Sequence, residues 1–259
     1  MMLGAGSSKV TGQVAFTTDG TETSDRHHWV CPAGVTSISI VCIGAGGYGN
    51  SRNGGGGGAL AYKNNYTVVP GTTYHIYCGK ANTTTHLDKH SWFSPATTTS
   101  NNDTVNAISA PLALGGFCGA VTAGWFQGDG GGVGGAGHTE AYGSGNTKKA
   151  GGGGGAGGYG SVGHSTDGKG GDGGATGSNW ADAYNGADGT SNSGSGGGGG
   201  GLSLYSSTQQ GWAGGGGGVG LYGRGSTGTG GVSVSGEMNP SSDLTAARGG
   251  NGSGGTSPN

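Results

Sequence analysis

The chain has 259 residues, of which 71 are glycine, 30% are hydrophobic and 9% are charged, and its formal net charge is −2. Such a composition leaves apolar material for about one core of ordinary size, and most of that material lies before residue 126. The weak charge gives no footprint for nucleic acid or an anionic membrane surface, and the absence of any run of 18 apolar residues argues against membrane insertion.

Residues 1–12 lack the basic start and apolar block of a secretory signal, so a soluble chain is expected, reaching any outside location by another route. Gln13–Thr18 reads as a first strand. In Trp29–Ile43 a turn signal at Pro32–Gly34 precedes strict alternation, with Val35, Ser37 and Ser39 facing one way and Ile38 and Ile40 the other. The run becomes fully apolar at Ile40–Ile43. Two further strands, Ala59–Val69 and Thr72–Cys78, are expected to meet at the tight turn Pro70–Gly71. Residues 82–106 read as a polar insertion carrying Trp92 and Phe93. Val121–Phe126 and Val232–Val234 complete the candidate strands. No amphipathic helical pattern of even ten residues is present, so the fold class expected is all-β, an antiparallel sandwich over residues 13–126.

Residues 127–259 form a glycine-rich region with blocks at 151–155, 196–201 and 214–218, separated by short islands bearing Trp, Tyr, His or Asp. Glycine loses more backbone entropy on folding than any other residue and offers no side chain to bury. Two states suit such a composition. One is a disordered coil, favoured by composition alone. The other is a lattice of left-handed three-residue helices whose N–H and C=O groups pair with neighbouring helices. A collagen fold is excluded, because no strict Gly-X-Y period exists and the chain has only 6 prolines.

Several motifs resemble chemistry. Gly44-Ala-Gly46-Gly-Tyr-Gly49 matches the dinucleotide fingerprint, but a strand rather than a helix is expected next. Gly163–Lys169 resembles a phosphate loop in which Gly170 replaces the Ser or Thr that would hold magnesium. The Asp-Gly pairs at Asp167, Asp172 and Asp188 read as turns rather than calcium repeats. His86, Asp88 and His90 have the spacing of a metal site, though a polar loop is the preferred reading. Ser161, His164 and Asp167 contain the residue types of a triad without a rigid frame. Paired acids for glycan cleavage are not apparent among 13 acidic residues. No enzyme, cofactor or metal is expected. Cys31, Cys42, Cys78 and Cys118 lack a Cys-x-x-Cys spacing and read as small buried hydrophobes in preference to disulfides.

The run Trp29 to Gly47, the glycines 54–58 and the stretch Ala59 to Tyr74 resemble the glycine-rich domain of bacteriophage tail-fibre and other virion surface proteins. Gly214–Gly218 with Val219-Gly-Leu-Tyr-Gly-Arg-Gly is similar to glycine-rich structural proteins of marine phages. The likeness covers residues 13–79 closely and 115–259 mostly by composition. It implies a β-sandwich from which loops extend as packed polyglycine II helices, assembled in the host cytoplasm and displayed on the virion surface. A similar plan occurs in the ectodomain of a vertebrate receptor kinase, so architecture alone does not set the biology. The family's glycine region usually ends in an apolar closing strand, whereas this chain ends Gly-Gly-Thr-Ser-Pro-Asn; either Val232–Val234 takes that place or the sequence is part of a longer product.

The function that follows is a tail-fibre or fibre-tip adhesin whose loops between glycine helices bind a host receptor, a glycan or an outer-membrane protein. Trp92, Phe93, Trp180, Tyr184, Tyr205 and Trp212 are the candidate receptor contacts, since aromatic rings give large contact area at low entropic cost. Other fibre or capsid subunits are the implied partners, with a homotrimer suggested by the fibre resemblance. The competing readings are a purely structural capsid or tail subunit, and a surface-coat protein glycosylated at Asn65, Asn82, Asn102 or Asn251.

Overall fold

The computed structural model describes residues 12–18, 26–47, 54–80, 89–95, 112–113, 126–138, 148–150, 152–159 and 202–204. These residues are strand-rich, and no α-helix occurs among them. The strands are β1 (Arg26–Val30), β2 (Ser37–Ile43), β3 (Leu60–Thr67), β4 (Thr73–Tyr77), β5 (Ser91–Ser94), β6 (Leu112–Ala113), β7 (Phe126–Gln127), β8 (Gly130–Gly132), β9 (Lys148–Ala150) and β10 (Leu202–Leu204). One antiparallel sheet has the order β1-β4-β5-β6-β7 and a second has β2-β3-β8, while β9 and β10 pair separately.

The alternation in β2 is as expected, with Ile38 and Ile40 turned toward the core and Ser37 and Ser39 exposed. It continues to the end of the strand, where Val41 is exposed and Cys42 buried although Ile40–Ile43 is apolar throughout. Val35 precedes the strand and packs on the same cluster as Ile38, because the turn at Pro32–Gly34 swings it inward. Gly34 adopts φ 83° and Gly71 φ 79°, conformations that glycine reaches without a Cβ penalty.

Pro70–Gly71 is a turn, yet β3 and β4 do not pair with each other. The turn carries the chain from the three-stranded sheet to the five-stranded one, and is fixed by Gly71 N–H donating to the Cys31 carbonyl at 2.8 Å. The expected strand at Gln13–Thr18 is absent, and that segment is irregular; Phe16 lies against His27 with ring centroids 5.4 Å apart. Residues 121–125 and 232–234 lie outside the described residues.

One hydrophobic cluster draws on both sheets. Tyr74 and Phe93 stack at 5.1 Å, and Trp29 and Ile76 join them from the five-stranded sheet. Ile38, Ile40 and Tyr66 come from the three-stranded sheet, with Cys31 and Val68 closing the cluster from the loops. Ser91 ties the layers through its hydroxyl, which accepts from Gly79 N–H at 2.9 Å and donates to the Ile43 carbonyl at 2.6 Å.

Opposite Ser39, β3 carries two residues, Asn64 and Asn65, and Asn65 adopts φ 53°. Asparagine tolerates this left-handed region better than most residues. The bulge is gripped by Asp129, whose carboxylate accepts from Lys63 Nζ at 2.8 Å and from Asn64 N–H at 2.8 Å.

Candidate functional site

Beyond the sheets the described backbone continues as glycine segments. Residues 54–59 lead directly into β3, residues 133–138 continue from β8, and residues 44–47 continue from β2. Gly54 and Gly57 donate N–H bonds to the carbonyls of His138 and Gly135 at 3.0 and 2.9 Å. Gly135 and His138 donate to Gly155 and Gly152 at 2.7 and 3.0 Å, and Gly154 and Gly157 donate back to Gly55 and Gly58 at 2.9 and 2.8 Å. Gly44 and Gly47 approach from another side and donate to Ala59 and Gly56 at 2.8 and 2.7 Å.

Every step in this network is three residues. Segment 54–59 therefore has three working sides: residues 54 and 57 donate to 132–138, residues 55 and 58 accept from 152–157, and residues 56 and 59 accept from 44–47. Numbering falls along one partner as it rises along the other for 54–57 with 135–138, so these run antiparallel, whereas 152–157 runs parallel to 54–58. All of residues 54–59 are buried.

The need for glycine follows from what stands beside each α-carbon. A Cβ at Gly54 or Gly57 would fall on the carbonyl of Gly152 or Gly155; one at Gly134 or Gly137 would fall on that of Gly57 or Gly54; one at Gly154 or Gly157 would fall on that of Gly135 or Gly132. Hydrogen bonds circulate among the three segments in one direction, and the close approaches of α-carbon hydrogens to carbonyl oxygens circulate in the other. Such C–H···O approaches add a weak attraction where only hydrogen fits. The larger residues Val133, Ala136 and Ala156 occupy the half-buried outward positions, again at intervals of three within 133–136.

This arrangement accounts for the apparent dinucleotide fingerprint. Gly44 and Gly47 commit their N–H groups to Ala59 and Gly56, and Ala45 donates to the Lys89 carbonyl at 2.9 Å, so these amides are not available to cradle a pyrophosphate.

The candidate contact residues divide sharply. Trp92 and Phe93 are corrected from loop to strand β5, and at 2% and 4% exposure they are not surface groups. Phe93 faces the shared core, while Trp92 on the other face stacks on Tyr77 at 5.8 Å. The polar neighbours of residues 82–106 hid a four-residue strand whose side chains are all buried. Trp180, Tyr184, Tyr205 and Trp212 lie outside the described residues. Of the island 202–205, Leu202–Leu204 is a strand paired with Lys148–Ala150 and not a loop.

His90 is buried, and the other members of its spacing motif, His86 and Asp88, lie outside the described residues, as do the motifs at 161–173 and 188–189. Among the described residues no group of three or more His, Cys, Asp or Glu gathers to hold a metal. Cys31 and Cys42 are buried thiols outside any disulfide, as the reading of small hydrophobes expects, and Cys78 is a half-buried thiol, likewise outside any disulfide. Burial pushes the Cys42 thiol up to about 12, with Cys78 adding to the effect, and burial pushes Cys78 up to about 11. Both thiols are thereby held protonated and unreactive at neutral pH. Cys118 lies outside the described residues.

The sequence did not single out His28 and His75, which are 47 positions apart but become directly opposed partners on β1 and β4. No spacing motif marks such a pair, since strand pairing alone creates it. No family model, curated protein or solved structure matches this chain.

Proposed function

We propose that this chain is a phage virion surface protein, a tail-fibre or fibre-tip adhesin, in which a β-sandwich carries packed polyglycine II helices and the connections between helices bind a host receptor. The observation that carries the reading is the three-residue step of the hydrogen bonds linking 54–59, 132–138 and 152–157. Three residues per turn and no internal hydrogen bonds define the polyglycine II conformation. The cluster drawn from both sheets supports the sandwich in the same way.

Such a scaffold fixes glycine at the packed positions and leaves the connections free to differ, and loops on a rigid frame are where recognition concentrates. With Trp92 and Phe93 in the interior, the receptor contacts fall to Trp180, Tyr184, Tyr205 and Trp212. The partners in this reading are other fibre or capsid subunits, including further copies of the chain as a trimer, and a bacterial surface glycan or outer-membrane protein.

The test is binding of the purified chain to whole bacterial cells, using a panel of lipopolysaccharide and outer-membrane-protein mutants that includes the natural host. Saturable binding, lost on one mutant strain and weakened by Trp180→Ala in a folded protein, is the expected result. A folded protein that binds no cell in the panel overturns it in favour of a structural subunit of capsid or tail. That second reading is favoured by one observation: Val30 and Val69 are 58% and 59% exposed beside the turns at Pro32 and Pro70, an apolar end suited to another virion protein.

A further inference from the structure

Strand β1 is an edge of the five-stranded sheet, hydrogen bonded to β4. Alternation puts Trp29 on the core side, where it packs with Tyr74, and places Arg26, His28 and Val30 on the other face. His28 is exposed, His75 is half-buried, and the two are directly opposed in the ladder. Their rings meet edge to face with centroids 4.8 Å apart.

We propose that His28 and His75 form a two-imidazole site for a divalent first-row transition ion, with Zn2+ as the representative. Neutral imidazole is the commonest protein ligand for such ions, and Zn, Cu and Ni all accept it. An ion about 2 Å from one nitrogen of each ring, with a near-tetrahedral angle between them, leaves the ring centroids roughly 5 Å apart. The observed separation of 4.8 Å already meets that requirement. The remaining adjustment is rotation about χ2, a soft torsion in histidine. The backbone need not move, because the ladder from Arg26↔Tyr77 to Val30↔Thr73 fixes both α-carbon positions.

The surrounding charges set the strength of the site. Burial, followed by the neighbouring His28 and Arg26, holds the His75 pKa below its ordinary value, which keeps its lone pair available at neutral pH. Arg26, two residues from His28 on the same face, opposes a cation. Across the ladder, Ser94 on β5 is the neutral partner of His75, and Tyr77 is the partner of Arg26. Water fills the remaining coordination positions, so binding is weaker than at a three- or four-ligand site.

Bound metal would clip β1 to β4 and stabilise the folded chain by linkage. The experiment is thermal unfolding and calorimetric titration of the full chain with ZnCl2, with MgCl2 as the control. At about ten times the dissociation constant, Zn2+ is expected to raise Tm by roughly 3 to 6 °C, and MgCl2 to leave it unchanged. His28→Gln and His75→Gln should each abolish the shift while leaving the metal-free Tm close to that of the parent. Arg26→Gln should tighten Zn2+ binding by about two- to five-fold, since a like charge is removed from a partly exposed site. No Zn2+ shift in the parent, an equal shift in both histidine variants, or an equal shift with Mg2+ would overturn the proposal. If His28→Gln lowers the metal-free Tm, calorimetry at a temperature where that variant is folded decides instead, and retained Zn2+ affinity there would overturn it.

Discussion

Asp129 serves two neighbours with one carboxylate, holding Lys63 and the Asn64 amide at the bulge of β3 while its own N–H donates to the Tyr62 carbonyl at 2.8 Å. The hydrogen bond from Lys63, followed by that from Asn64, lowers the carboxyl pKa below its ordinary value. A depressed folded pKa contributes stability that is present above the unfolded value, about 4, and is lost as the pH falls through the folded one. Both side chains of the pair are 31% exposed, so solvent screening limits the contribution. Asp129→Asn is therefore expected to cost about 0.5 to 1 kcal/mol at neutral pH. Denaturant midpoints measured across the acid range should show parent and variant converging below the ordinary carboxylate range; a gap that persists there would count against this role. Trp92 makes the complementary point at the same scale. Its Nε1 is buried without a hydrogen-bond partner, so its place in β5 rests on apolar packing against Tyr77.

Strands and glycine segments obey different periods, two and three, and each tells which substitutions an element accepts. Gly57→Ala would drive a methyl group into the Gly155 carbonyl at the centre of the buried segment. Overpacking against backbone is expected to cost at least about 2 kcal/mol. Ala156→Ser, at a half-buried outward position one residue beyond Gly155, should stay within about 0.5 kcal/mol of the parent. Thermal unfolding of the two variants tests the pattern, and equal tolerance at both positions would refute it. The strands β2, β3 and β4 were legible because β-branched and aromatic residues alternate between turn residues. β5 was not, since Ser91 and Ser94 enclose its two aromatics among polar neighbours and its burial comes from pairing with β4 and β6. The separation of β3 from β4 into two sheets was hidden for another reason: Pro70–Gly71 specifies a reversal but not which sheet receives the next strand. Glycine composition allowed both coil and lattice, and the choice depends on hydrogen-bond partners about 80 to 100 residues away in sequence, such as Gly57 with Gly135 and Gly154 with Gly55. The histidine pair was illegible for the same reason.

At the largest scale the described residues allow, the three-stranded sheet and the glycine segments are parts of one hydrogen-bonded body. Gly132 ends β8 and its carbonyl also lies against the α-carbon of Gly157, while Gly44 leaves β2 and donates to Ala59 at the entrance of β3. Opening the glycine segments therefore disrupts the edges of the three-stranded sheet. Native-state hydrogen exchange should give the amides of Gly54, Gly135 and Gly157 the same opening free energy as Val41 and Ile76 in the strands. Glycine amides that exchange through a separate, lower-energy opening would show two independent units instead. The three-residue step also governs how such a gene can change length. Adding one residue just before Val133 would shift Val133 and Ala136 into the positions of Gly134 and Gly137, where their side chains would fall on the carbonyls of Gly57 and Gly54. Inside these segments, changes of length are therefore expected to keep the pattern only in whole three-residue steps, nine nucleotides of coding sequence.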